Sequence, residues 1–249
     1  MIIIPMNVFD RKVVLERGQL DFIRKAAEAG ADGIEIRKEL LSESDSLSNL
    51  KEELTRLAMF TVYSAPSEVW SEGGRLNSYE LVKVFGEALA VGAKWLKLPL
   101  GDYLHGVSDL TELDLFLKDY KEIQLLIEND QTPHGGKIEH LANFFESASK
   151  IEISVRMTFD IGNWHFTGEK PESAFSRLRE YISYLHLKEV ALRDGELHPA
   201  GLSAAKHAGW RMFQNRTGKS VPAALEFPIQ PHERLKEFIG LARENQMEG

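Results

Sequence analysis

Four side chains suited to acid–base and metal chemistry are embedded in apolar runs, at successive gaps of 32, 26 and 40 residues. They are Glu128 in Leu126-Ile127-Glu128-Asn129-Asp130, Asp160 in Thr158-Phe159-Asp160-Ile161-Gly162-Asn163, His186 in Tyr184-Leu185-His186-Leu187-Lys188-Glu189, and Glu226 in Ala224-Leu225-Glu226-Phe227-Pro228. An ionised carboxylate buried without a partner costs on the order of several kcal/mol, and three of them brought together repel one another. One divalent cation relieves both problems. Three oxygen donors and one imidazole nitrogen suit Mn²⁺ first, with Mg²⁺, Co²⁺ and Zn²⁺ within the same chemistry. The competing reading is that each group pairs separately with a Lys or Arg. A ligand-type residue in each of four consecutive apolar runs favours a shared centre.

Side chains so far apart in sequence need a scaffold that brings them together. Short apolar runs at residues 2–8, 33–37, 60–64, 95–99, 123–128, 155–160, 184–188 and 223–227 read as strands, separated by amphipathic helical stretches. Leu20, Ile23, Ala26 and Ala27 make one apolar helical face; Leu81, Val84, Phe85 and Leu89 make another. Gly30 and Gly92 stand where helix C-caps are expected. The strand ends fall at Asn7, Glu35, Ser64, Lys97, Glu128, Asp160, His186 and Glu226. Their mean spacing is about 31 residues, the length of one βα unit. Eight such units predict a single (β/α)₈ TIM barrel over residues 1–249. A doubly wound open sheet usually carries a glycine-rich turn after its first strand, whereas Pro5-Met6-Asn7-Val8-Phe9-Asp10 has no glycine. The gap from His186 to Glu226 predicts an extended loop after the seventh strand. In such a barrel, chemistry belongs at the C-terminal ends of the strands, where all four residues fall.

Composition excludes several other classes. The chain has no cysteine, which removes disulfides, thiolate metal sites and a cysteine nucleophile. Its 30 Lys+Arg against 38 Asp+Glu give a formal charge of −8, the wrong sign for a nucleic-acid binder. No apolar run approaches the roughly 20 residues of a membrane-spanning helix, and Met1-Ile2-Ile3-Ile4-Pro5 lacks a basic n-region. A cytoplasmic protein with a small-molecule ligand is expected, with no nucleic acid or membrane partner; a homo-oligomer is compatible with this reading.

Glu, Asp, His and Glu at the ends of strands five to eight resemble the metal site of the xylose isomerase-like barrel superfamily. Its members include sugar isomerases, ketose 3-epimerases, inosose dehydratases and endonuclease IV. The segments Glu128-Asn129-Asp130-Gln131-Thr132-Pro133 and Met157-Thr158-Phe159-Asp160-Ile161-Gly162-Asn163-Trp164 are similar to an epimerase-type branch linked in bacteria to 2-ketogluconate utilisation. The resemblance implies that Glu128, Asp160, His186 and Glu226 bind one metal ion. It also implies that Glu128 and Glu226 form the acid/base pair on opposite faces of a sugar. Abstraction of a proton α to a carbonyl needs a base at carbon and an electrophile at oxygen; metal stabilisation of the enediolate would supply the latter. The expected function is a metal-dependent isomerase or epimerase of a small sugar, sugar acid or sugar phosphate. A dehydratase with the same first step and a non-catalytic sugar-binding barrel are the alternatives. An endonuclease IV-like reading is disfavoured because Ser64 and Lys97 stand where extra histidines would be needed.

Two departures from the family bear on the substrate. Many members carry Asp-x-x-His on strand six; here Asn163 takes the His position and His165 follows two residues later. The arginine that many epimerases carry six residues after the strand-seven His is replaced by Leu192, with Arg193 next. Candidate substrate contacts are Glu35, Arg37, Lys97, Asn163 and Lys188. The three cations suit a carboxylate or phosphate, and a salt bridge to the surrounding acids competes at each. Trp70, in the loop after strand three, could stack on a sugar face, with plain packing as its competitor. His105, His134, His198 and His207 are expected to face solvent, with His134 and His198 near the mouth of the barrel. Gly135-Gly136 is expected to form a tight turn, with a phosphate cradle as a weaker reading.

Overall fold

The computed structural model describes residues 1–218 and 220–248. Eight parallel strands close into a barrel: β1 (Ile2–Pro5), β2 (Gly33–Arg37), β3 (Phe60–Ser64), β4 (Trp95–Pro99), β5 (Gln124–Glu128), β6 (Val155–Asp160), β7 (Ile182–Leu187) and β8 (Ala223–Leu225). Each strand pairs with its neighbours in sequence, and β1 closes the barrel by pairing with β8, Ile2 against Ala223 and Ile3 against Ala224. The expected (β/α)₈ barrel is therefore the observed fold.

The two-residue period of the strands sorts side chains into two cores. Ile3, Val62, Leu126, Tyr184 and Ala224 fill the inside of the barrel, with Phe60 and Trp95 against them. Outward-facing Ile34, Ile36, Leu96, Leu98, Leu125, Ile127, Leu185 and Leu187 pack with the surrounding helices. Local signals set the helix ends. Asp10 caps Arg11–Arg17 by accepting from the Lys12 and Val13 amides, and Asp109 caps Leu110–Lys118 in the same way. Gly92 ends Ser78–Val91 in the left-handed region, at φ 76°. Where the chain begins, Asp32 accepts from the Ile2 amide at 2.6 Å and pairs with Arg243 of the last helix, Leu235–Glu248, also at 2.6 Å.

Four strands depart from their expected limits, the fifth only in beginning at Gln124 rather than Ile123. The first stops at Pro5, and residues Met6–Val8 form a 3₁₀ turn. The buried Gln19 carboxamide donates to the Arg37 carbonyl (2.8 Å) and accepts from the Arg37 amide (3.1 Å), which leaves no ladder partner there for β1. The seventh runs from Ile182 to Leu187 rather than 184–188, and the eighth ends at Leu225. The long connection after β7 holds an antiparallel hairpin, Glu189–Arg193 with Glu196–Ala200, and a helix, Gly209–Thr217. Between β6 and β7 the register shifts at Met157/Thr158, and beyond the shift Asp160 lies opposite His186. No helix among the described residues is long and apolar enough to cross a membrane.

Candidate metal and acid–base site

At the C-terminal mouth of the barrel, Glu128, Asp160, His186 and Glu226 each present one donor atom, all within 4.8 Å of one another. His186 Nδ1 lies 3.0 Å from Glu128 Oε1, 3.1 Å from Glu226 Oε2 and 3.8 Å from Asp160 Oδ2. Asp160 and His186 are wholly buried. His186 Nδ1 is a buried atom with no well-directed hydrogen bond and faces carboxylate oxygens of all three acids, whereas the equally buried Asp160 Oδ2 is shared between the cluster and the Lys188 ammonium. A mixed carboxylate–imidazole set with such atoms converging on one point fits a divalent cation.

Three cations surround this set, Lys97 and Lys188 buried and Arg37 partly exposed. Lys97 Nζ lies 2.8 Å from both Glu128 carboxylate oxygens and 3.0 Å from Glu35 Oε1. Lys188 Nζ lies 2.6 Å from Asp160 Oδ2 and 2.9 Å from Glu226 Oε2. Arg37 bonds through Nη1 to Glu35 (3.2 Å) and Glu226 (3.1 Å), and through Nε to Glu39 (2.7 Å). Burial alone would raise the Glu226 and Glu128 carboxyls. The charges of Lys188 and His186 on Glu226, and of Lys97 and His186 on Glu128, outweigh it and hold both below the usual carboxylate range. Asp160 behaves differently. Burial, reinforced by the Glu226 charge, pushes it up to about 6 against the pull of Lys188.

A cavity of about 400 Å³ opens above the cluster, lined by Asn7, Arg37, Glu128, Asn163, Lys188 and Glu226 among others. A larger one, about 650 Å³, sits at the opposite end of the barrel around Asp32, Lys51 and Lys94, away from the donor cluster. Of the expected substrate contacts, Arg37, Asn163 and Lys188 line the upper cavity. Glu35 and Lys97 do not: they are 0 % and 1 % exposed and lie beneath the cluster, bound to each other. Trp70 is fully buried on a short hairpin, its ring 5.8 Å from that of Tyr103, and lies outside the cavity lining. Stacking on a ligand from there would require the indole to leave the core. Gly135-Gly136 closes the loop onto itself. Gly136 N–H donates to Thr132 O, and a Cβ on Gly135 would fall 2.5 Å from Asp130 Oδ1, so the tight-turn role is the observed one.

Three residues singled out for no role in the sequence shape the site. Asn129 ties the end of β5 to that of β6; Gln19 fixes the Arg37 backbone; Tyr184 donates to Glu35 at 3.0 Å. Tyr184 had a local signal, because it precedes His186 by two residues and so shares its face. Gln19 had none. Gly162 owes its identity to Lys188, since a Cβ there would fall 2.6 Å from Lys188 Cγ.

No protein-family model matches the sequence, and no curated protein matches it. Solved structures do. An L-ribulose 3-epimerase superposes with a TM-score of 0.70 at 14 % identity, covering 99 % of this chain and 95 % of that one. The IolI protein, solved with a bound zinc atom, gives 0.68 at 15 % identity over 99 % and 96 %. An endonuclease IV from Thermus thermophilus also gives 0.68, at 16 % identity over 100 % and 99 %. An epimerase and an endonuclease catalyse unlike reactions, so what these neighbours share with this chain is architecture. The chain has the fold of the xylose isomerase-like TIM barrels.

Proposed function

We propose that this protein is a divalent-metal-dependent isomerase or epimerase of a small sugar, sugar acid or sugar phosphate. One observation carries the reading: of the four donors, Glu128 and Glu226 also line the open cavity, whereas Asp160 and His186 are sealed beneath it. Two carboxylates that can touch both a metal and a substrate fit a pair of proton carriers. The metal, when bound, supplies polarisation of a substrate carbonyl oxygen, which acidifies the neighbouring C–H. Glu128 and Glu226 stay ionised under the influence of Lys97, Lys188 and His186, so either can accept a carbon-bound proton. Arg37, Asn163 and Lys188 offer donors to substrate oxygens from the wall of the cavity. The epimerase and zinc-bound neighbours support this reading. Endonuclease IV shares the fold, but the described residues contain one donor cluster of this kind, and the chain is acidic.

The test is solvent-deuterium exchange read by NMR, with Mn²⁺-loaded protein and a panel of ketoses, aldoses and 2-keto sugar acids. Deuterium should enter carbon adjacent to the carbonyl of the true substrate class. Metal-loaded protein that binds sugars yet exchanges none of them would instead support a non-catalytic sugar-binding barrel.

A further inference from the structure

We propose that Glu35 is the positioning residue of the metal centre, holding the His186 ring so that Nδ1 faces Glu128, Asp160 and Glu226. This rests on the metal-site reading above. Glu35 lies on β2 and His186 on β7, on either side of the β1–β8 pair, and the carboxylate reaches His186 through the barrel interior. Glu35 Oε2 is 3.1 Å from His186 Nε2 and accepts from the Tyr184 hydroxyl at 3.0 Å. Its other oxygen meets Lys97 Nζ at 3.0 Å and Arg37 Nη1 at 3.2 Å. The side chain is completely buried and does not line the cavity, so it touches no substrate.

Four donors converge on one carboxylate, and this explains why the residue is acidic. With Nε2–H donating to Glu35, Nδ1 carries the free lone pair on the ligand side of the ring. Outer partners of this kind fix the orientation of a metal-binding imidazole, and losing one typically weakens metal binding by about 10–100-fold. A glutamine cannot substitute. It has one acceptor oxygen for four donors, and its NH₂ group would face a lysine, an arginine, a hydroxyl or the imidazole N–H. Lys97 completes the device by binding Glu35 and the ligand Glu128 together, so the two carboxylates are set by one ammonium.

The experiment measures Mn²⁺ affinity by titration calorimetry for wild type, Glu35→Gln and Glu35→Asp, with the visible spectrum of the Co²⁺-loaded forms as a second readout. Aspartate keeps the charge beside Lys97 but is one methylene too short to reach Nε2. Both variants should bind Mn²⁺ about 10–100-fold more weakly and show an altered Co²⁺ spectrum, and KM at saturating metal should hold near the wild-type value. If one variant fails to fold, the other decides. Wild-type affinity and an unchanged Co²⁺ spectrum in a folded variant would overturn the assignment and leave Glu35 a structural tie. Absence of metal binding in the wild type itself would instead overturn the metal-site reading.

Discussion

The carboxamide of Asn129 hydrogen-bonds to both backbone groups of Asp160, donating from Nδ2 to the carbonyl at 2.9 Å and accepting the amide N–H on Oδ1 at 2.8 Å. Both residues are completely buried. The side chain thus continues the β5–β6 ladder one step past its last backbone pair, Glu128 with Thr158. Asn163 locks the same corner, its amide donating to Asp160 Oδ1 and its side chain to Asn129 O. Two adjacent donors of the cluster, Glu128 and Asp160, are thereby held in a fixed relation.

Replacing Asn129 with Ala strands a buried N–H and a buried C=O. The expected loss is about 1–3 kcal/mol for each unsatisfied group, visible as a lower denaturant midpoint. Asn129→Asp should do more damage, because a carboxylate oxygen would face the Asp160 carbonyl. Metal affinity should fall in both. A folded Asn129→Ala protein with wild-type stability would refute this account.

Glu128→Gln and Glu226→Gln keep side-chain size and a carbonyl oxygen but remove the basic oxygen. Turnover should fall by about 10²–10⁴-fold. In an epimerase, each single variant should still exchange deuterium into the one epimer whose proton faces the surviving glutamate. In a one-base isomerase, one variant should be dead in every assay and the other only impaired. Near-normal turnover in both, with metal bound, would remove the acid/base pair from these positions.

The cations should separate by place. Arg37 lines the cavity, and its Nη2 makes no hydrogen bond among the described residues. Arg37→Met should therefore raise KM far more for acidic or phosphorylated sugars than for neutral ones. Lys97→Met should act on stability instead, because it leaves Glu35 and Glu128 without their shared ammonium; breaking a buried pair in this way costs about 3–5 kcal/mol. Equal KM effects of Arg37→Met on all substrates would confine that residue to structure as well.

Gly162→Ala places a methyl group where the Lys188 stem runs, with Cγ and Cε at 2.6 and 2.7 Å from the new Cβ. Lys188 must then leave Asp160 and Glu226. Catalysis should drop while the fold persists, and a crystal structure of the variant showing Lys188 in place would contradict this.

Far from the site, Glu53 gives a pH signature. Hydrogen bonds from Arg56 and Arg24 hold its carboxyl down at about 2, against an ordinary 4.5. A depressed folded value stabilises the protein above pH 4.5, and that contribution fades as pH falls toward 2. Glu53→Gln should therefore lower the urea midpoint at about pH 7, and the gap from wild type should narrow below pH 4.5. A gap independent of pH would show that the ion pairs contribute nothing to it.

The sequence by itself determined the barrel and the strand ends that carry the cluster. Strand alternation and the recurrence of a βα unit are local patterns: Ile34 and Ile36 turn outward as their period requires, leaving Glu35 and Arg37 inside. A charged residue in an apolar strand likewise marks an interior polar position without any knowledge of its partner. Partners were a different matter. Whether Lys97 met substrate or Glu35, whether Trp70 faced the mouth or the core, and which residue steadied His186 all depended on reach across the lumen. That reach is set by strand tilt, by stagger and by the shift at Met157/Thr158, which brings Asp160 opposite His186. Barrel closure brings Glu35 to a side chain 151 residues away, and such a distance is a property of the closed sheet, with no trace in the local order of residues.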